Sequence, residues 1–239
     1  MPVTELTSHH MPNRLLSTLP FEWRQAALDH MQTVALAPGH IIYEPGDPVT
    51  SVYFPTTAVV SLLNVMDCGA SIEVALVGNE GMLGGRLAPG VAYTALARTV
   101  AQIPGEALMI KTVTFQEEME RNPALSAMVS RYSNVLLGQI FQAAGCNGLH
   151  STEQRCARWL LATQDRVGSD EFPLTQELLA EMLGVRRQSI SAIASALQHA
   201  GTVRYSRGQL RIVNRRALES ISCECYRRVR EECESLLKA

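Results

Sequence analysis

Residues 175–201 read TQELLAEMLGVRRQSISAIASALQHAG, and the spacing of small, apolar and polar positions in them decides how the C-terminal part of the chain folds. With Ala180 as the fifth position of a helix-turn-helix unit, Leu179 and Leu183 fall on the inner face before the turn. Gly184 falls in the turn, and Val185, Ile190 and Ile193 fall on the inner face after it. Each requirement is physical: alanine lets two helices cross closely, glycine supplies a backbone angle denied to other residues, and the aliphatics form a small core between the helices. Thr175 suits the N-cap of the first helix, whose free amide end can hold a phosphate. The second helix is predicted over Arg187 to His199, and a helical hairpin without a nucleic-acid role has no reason to leave that helix arginine-rich at its start.

Such a second helix would lie in a DNA major groove with its N-terminal residues at the base edges. Arg187 can donate two hydrogen bonds to guanine O6 and N7, and Gln188 can pair with adenine, each good pair discriminating by roughly 1–3 kcal/mol. Ser189 and Ser191 are short enough for phosphate or base contacts, and Thr175 and Gln176 stand at the phosphate-facing start of the first helix. Arg186 occupies the place where a capping Ser, Thr, Asn or Asp is expected. Loss of such a cap typically costs about 1 kcal/mol, so the position is assigned to DNA affinity. Residues 202–214, TVRYSRGQLRIVN, predict two short strands turning at Arg207-Gly208. This is a wing, from which Arg204, Arg207 and Arg211 would touch the DNA backbone and add sequence-independent, salt-sensitive affinity.

Charge points the same way. The net charge is only -2, yet residues 186–218 hold seven arginines and no acidic residue. Such asymmetry suits a polyanionic partner, double-stranded DNA. The 239 residues, 46% hydrophobic, suffice for one large domain or two of ordinary size. No window approaches eighteen uninterrupted apolar residues, and the start, MPVTELTSHHMPNRLL, has neither a basic nor an apolar leader region. No membrane partner and a cytoplasmic location are therefore expected.

Six cysteines, Cys68, Cys146, Cys156, Cys223, Cys225 and Cys233, lack paired C-x-x-C spacing, so neither a disulfide framework nor a metal site is expected. Cys223 and Cys225 are two apart, and on a helix they would point to different faces. Cys146 and Cys156 flank a hinge that oxidation could alter; buried inert thiols are the plainer reading.

Upstream the texture differs. Leu15 to Met31 reads as a short helical region broken near Pro20. From Thr33 to Ile110, β-type runs such as HIIYE, SVYFP, AVVSLLNV, SIEVALV and ALARTVAQI alternate with Gly/Pro turns, the mark of an antiparallel roll or barrel. Near Thr114 the period becomes helical. A short helix over Phe115 to Glu120 precedes a long one starting at Arg121-Asn122-Pro123, with an apolar stripe of Leu125, Met128, Val129, Tyr132, Val135, Leu136, Ile140 and Ala143. A long stripe of this kind suits a helix pair in a homodimer, through Leu125, Met128, Tyr132, Val135, Leu136, Gln139 and Ile140; the same stripe could instead pack on the chain's own roll. A further amphipathic helix is expected from about Ser151 to Asp165, and ISCECYRRVREECESLL reads as an appended amphipathic helix. The fold class is thus α+β, with an N-terminal β-roll domain at 1–122, a dimerisation helix at 123–149 and a winged helix-turn-helix domain at 150–239.

This order resembles the Crp/Fnr family of bacterial transcription regulators. The residues carrying the resemblance are PGHIIYEPGDPVTSVYF and GNEGMLGG in the roll, EQRCARWLLATQDRVG, LTQELLAEMLGVRRQSIS, and the wing RYSRGQLRIV. The resemblance implies a homodimer joined along the long helix, acting on a two-fold symmetric site with half-sites about one helical turn apart. It also implies that signals sensed in the roll shift the recognition helices, and that RNA polymerase is a partner. Arg187 and Gln188 match the family's half-site readers, whereas Ala192 stands where a further arginine is common.

The same resemblance frames the stretch VGNEGMLGGRLAPGVAYTALART, Val77 to Thr99. In cyclic-nucleotide-binding relatives a glutamate holds the ribose and an arginine followed by Ser or Thr neutralises the phosphate. Here Met82 follows Gly81 and Tyr93 precedes Thr94. Burying a phosphate without its charged partner costs several kcal/mol, so cyclic AMP is disfavoured. An effector site, if apolar or aromatic in its ligand, would involve Gly81, Met82, Leu83, Gly84, Tyr93 and Thr94; a shifted alignment would instead pair Glu80 with Arg98. No cofactor is expected: the leader has no cysteine for an iron-sulfur cluster, and His9, His10, His40 and His150 are haem-ligand candidates only by residue type. A cupin-like enzyme would need clustered metal ligands on strands, and the roll offers His40 alone among histidines. No catalytic residue is expected.

Overall fold

The computed structural model describes residues 12–84 and 93–238. A 3-10 turn at Leu16–Thr18 and helix α1 (Phe21–Leu28) lead into the roll. Seven strands follow: β1 (Gln32–Leu36), β2 (Ile41–Tyr43), β3 (Ser51–Pro55), β4 (Val59–Val65), β5 (Ser71–Val77), β6 (Arg98–Ile103) and β7 (Gly105–Lys111). They form two antiparallel sheets, of order β1-β7-β3 and β2-β6-β4-β5. Every β-run read from the sequence is a strand or holds one. Between the layers Leu36, Val60, Val77, Ala101 and Ala107 are buried, while on the helix-covered face of the first sheet Val52, Phe54, Leu108 and Ile110 are buried and Phe54 meets Phe115 edge-on at 5.8 Å, the arrangement aromatic pairs favour.

Helix α2 (Thr112–Arg121) closes the roll, and α3 (Pro123–Leu149) starts where Pro123 sits in the first turn and the Asn122 side chain accepts from the amides of Ala124 and Leu125. A proline there loses no helical hydrogen bond, and the asparagine satisfies two free amides. Helix α4 (Thr152–Val167) carries a full capping box between Ser151 and Gln154 and ends at Gly168 in the left-handed conformation, as its sequence signals require. The C-terminal third holds β8 (Glu171–Pro173), α5 (Gln176–Leu183), α6 (Arg187–His199), β9 (Val203–Ser206), β10 (Gln209–Ile212), α7 (Arg215–Ile221) and α8 (Cys225–Lys238). The tail read as an appended helix forms one, α8, but only from Cys225 onward: Ile221 ends α7 and Ser222–Glu224 break the chain between the two helices.

The apolar stripe of α3 faces inward. Leu125, Met128, Val129 and Tyr132 are buried in the core of the same protomer with Phe115 and Trp23, and the Gln139 amide donates to the carbonyl of Leu76 at 3.2 Å. Val135, Leu136 and Ile140 are half-buried on the same side. Leu125, Met128, Tyr132 and Gln139, assigned from the sequence to a dimer seam, are thus covered within the protomer. Helical periodicity marks a face that must be covered but not what covers it, and here the roll and α2 do so. The opposite face carries Ala127, Ser130, Asn134, Leu137, Phe141 and Gly145 at three- and four-residue spacing, with Leu137 47% and Phe141 68% exposed.

Candidate nucleic-acid interface

The helix-turn-helix is built as its residues dictate. The Thr175 hydroxyl accepts from the amide of Leu178, Gly184 ends α5 at φ +61°, and α6 spans Arg187–His199. Leu179, Ala180, Leu183 and Ile190 are buried in the space between the helices, and Val185 and Ile193 pack against them half-buried. The outer face of α6 is free. Arg186, Arg187, Gln188 and Ser189 are exposed, and an open depression is lined by Arg186, Arg187, Gln188 and Ser191.

Within that surface the polar groups hold one another. Arg187 Nη1 lies 2.8 Å from Glu177 Oε1, an exposed pair that a surface arginine exchanges at little cost for another anion. Ser191 Oγ donates to Gln176 Oε1 at 2.7 Å, so Gln176 joins the start of the first helix to the reading face of the second. Arg186 stands at the N-cap of α6 with no side-chain cap, leaving its guanidinium for solvent or a ligand. The wing forms as read: β9 pairs with β10, and β8 adds a third antiparallel strand. Arg207, at φ +49°, and Gly208, at φ +77°, make the tip, and Arg204, Arg207 and Arg211 are exposed.

Sequence reasoning missed what fastens this head to the roll. Glu73 on β5 is buried, and it accepts from Ser61 Oγ at 2.6 Å and from the indole Nε1 of the fully buried Trp159 on α4 at 3.0 Å. Burial raises its carboxyl above the ordinary value, and the hydrogen bonds from Ser61 and Trp159 only partly offset this. Arg166 Nε pairs with Glu80 Oε1 at 2.8 Å, both side chains being nearly buried. Inside the head itself, the buried Arg155 on α4 donates to the carbonyl of Leu183 at the end of α5. Val59, Leu63, Leu76 and Ile103 of the roll share one apolar cluster with Trp159, Leu160, Leu183 and Ile190. A buried polar residue on a strand signals a partner but not which one, so none of these pairs is written in local spacing.

The glycine cassette is filled from within. Met82 and Leu83 are core residues rather than pocket walls. Tyr132 donates from its hydroxyl to the carbonyl of Met82 at 2.8 Å, and a Cβ on Gly81 would lie 2.6 Å from that hydroxyl oxygen. Gly84, at φ +77°, bridges to β3 through its neighbour Leu83, and its carbonyl accepts from Tyr93. Thr94 forms an isolated bridge with Pro48. The shifted pair does not form: Glu80 is taken by Arg166, and Arg98 Nε lies 2.9 Å from Glu44 Oε2. Apolar side chains in polar seats have collapsed into the core, which removes Met82 and Leu83 from the expected effector wall. Residues 85–92 of the cassette, and His9 and His10, lie outside the described residues.

Residues 154–221 match the family model of the Crp-like helix-turn-helix domain. No curated protein matches the chain. Among solved structures it is similar to FixK2 from Bradyrhizobium japonicum, at 16% identity over 81% of this chain and 98% of that one, with a TM-score of 0.69. It is also similar to a CRP-family transcriptional regulator from Thermus thermophilus, at 19% identity over 79% and 96% with a TM-score of 0.66. The c-di-GMP responsive global regulator CLP from Xanthomonas campestris aligns at 14% identity over 79% and 96%, with a TM-score of 0.62. No helix among the described residues is long and apolar enough to cross a membrane.

Proposed function

We propose that this chain, of Crp/Fnr type in its fold and in its helix-turn-helix domain, acts in the cytoplasm as a homodimeric, sequence-specific regulator of transcription. The observation that carries the reading is the free outer face of α6, where Arg186, Arg187, Gln188 and Ser191 line one open surface while the inner face is buried. That face has the donors for direct readout of guanine and adenine, and the arginine-tipped wing beside it has the charge for phosphates. The dimer is joined through Leu137 and Phe141, large apolar side chains left exposed on the face of α3 turned away from the roll. RNA polymerase is the partner through which a bound dimer acts.

The roll senses something other than cyclic AMP. Support comes from Met82 in the core and from the Tyr132 hydroxyl seated against Gly81, where a ribose and phosphate would need room and charge. Selection of bound sequences from random DNA, with and without cyclic AMP, tests the whole reading. A two-fold symmetric site with half-sites about one helical turn apart, bound equally well with and without the nucleotide, is expected. Enrichment of no sequence overturns the regulator; a site recovered only with cyclic AMP overturns the sensor reading alone.

A further inference from the structure

Helix α3 ends in CNGLH, residues 146–150, which places a thiol and an imidazole one turn apart on one side of the helix end. The break between α7 and α8 brings back two more thiols, because Cys223 precedes α8 and Cys225 is its first residue. The expectation that these two cysteines face apart assumed a continuous helix, and the break removes that objection. All four donors converge. Cys146 Sγ is 3.6 Å from Cys223 Sγ, Cys225 Sγ is 3.5 Å from His150 Nδ1, and the four ligand atoms lie within 4.8 Å of one another. The thiols are free, and a 3.6 Å separation is far beyond a disulfide bond of about 2.05 Å.

We propose that Cys146, His150, Cys223 and Cys225 hold one tetrahedral zinc ion. With Zn–S near 2.3 Å and Zn–N near 2.0–2.1 Å, a tetrahedral cage has sulfur–sulfur edges of about 3.8 Å and sulfur–nitrogen edges of about 3.6 Å. The 3.6 Å sulfur–sulfur and 3.5 Å sulfur–nitrogen separations match those edges. Three thiolates and one imidazole are a closed structural zinc set, and soft sulfur donors disfavour magnesium and calcium. A two-iron cluster would need its donors split into pairs about two metal centres, whereas these meet at one point.

The surroundings complete the site. His150 Nε2 lies 3.3 Å from Glu224 Oε2, the carboxylate–histidine pairing that fixes the tautomer and leaves Nδ1 free for a metal. The Gln142 amide donates to Cys225 Sγ at 3.0 Å. The three thiols are at most 4% exposed, so metal binding would expel their protons and leave one net negative charge on the site. Arg158 lines the same small cavity as Cys146 and Cys225 and supplies an opposing charge. The ion ties the end of α3 to the start of α8, at the joint from which α4 and the DNA-reading head depart.

The test is the metal content of the full-length protein, purified under reducing conditions without chelator from zinc-replete cells. One zinc per chain is expected, kept by Cys68→Ser and Cys233→Ser and lost by Cys225→Ser and His150→Ala. Because a ligand variant can misfold, the wild-type chain stripped of metal is also titrated with Co2+. Intense visible absorption of tetrahedral cobalt–thiolate, saturating at one equivalent and bleached by zinc, is expected. Glu224→Ala should weaken zinc binding by about ten- to hundredfold. A zinc-free protein with a featureless cobalt titration overturns the site, and iron with acid-labile sulfide overturns its assignment to zinc.

Discussion

The indole of Trp159 donates to the carboxylate of Glu73 across 3.0 Å, with both side chains buried between the roll and α4. Because burial raises the Glu73 carboxyl, the folded chain binds that proton more tightly than the unfolded one. The stability this contributes is full below the unfolded carboxylate range, about pH 4.3, and is lost as pH rises through the higher folded value. Glu73→Gln keeps an oxygen able to accept from Ser61 and Trp159 and removes the titration. The variant should therefore gain stability relative to wild type as pH rises from about 4 to 8, read by denaturant unfolding at several pH values. A difference constant with pH would show that Glu73 does not titrate in this range.

Arg166 and Glu80 should behave as a buried pair. Replacing either alone by alanine strands a charge and should cost about 3–5 kcal/mol, lowering the melting temperature by about 2–4 °C per kcal/mol in a chain of this size. The paired replacement Glu80→Ala with Arg166→Ala should cost less than the sum of the two single changes. Thermal unfolding of the four proteins measures the coupling, and additive losses would mean the two charges do not depend on each other.

The helix-turn-helix was legible almost to the residue because its signals are local: a threonine cap at 175, a glycine at 184, and aliphatics whose neighbours lie within one hairpin. The strands were legible for the same reason. The seam of α3 was not, since an apolar residue at helical spacing is equally satisfied by its own roll or by a partner, and Met128 and Tyr132 chose the roll. The meeting of Cys146 with Cys223 spans 77 residues, and its condition, a helix break at Ser222–Glu224, leaves no glycine or proline to announce it.

Dimerisation should be carried by the exposed side of α3. Phe141→Glu places a charge on the face that would be buried and should yield monomers in sedimentation equilibrium, with DNA affinity falling in step. Tyr132→Phe, which loses only an internal hydrogen bond worth about 1 kcal/mol, should remain dimeric. A Phe141→Glu protein that stays dimeric would move the seam elsewhere.

On DNA, Arg187 and the wing should separate in kind. Arg187→Ala should cost about 1–3 kcal/mol and relax preference at the base it reads. Arg207→Ala or Arg211→Ala should weaken binding similarly on all sequences and reduce the slope of log affinity against log salt by about one. Binding isotherms on cognate and scrambled duplexes over a salt series distinguish the two. A uniform loss for Arg187→Ala would remove it from base readout.

Gly184 answers to two masters. Its φ of +61° is what lets α5 turn into α6, and a Cβ there would stand 3.0 Å from Ile72 Cδ1 on the roll. Trimming Ile72 would open the space but leave the backbone angle, so a side chain at 184 stays strained either way. The turn between α5 and α6 and its contact with β5 thus meet at one residue, so a displacement of the β4–β5 hairpin should bear directly on the start of α6.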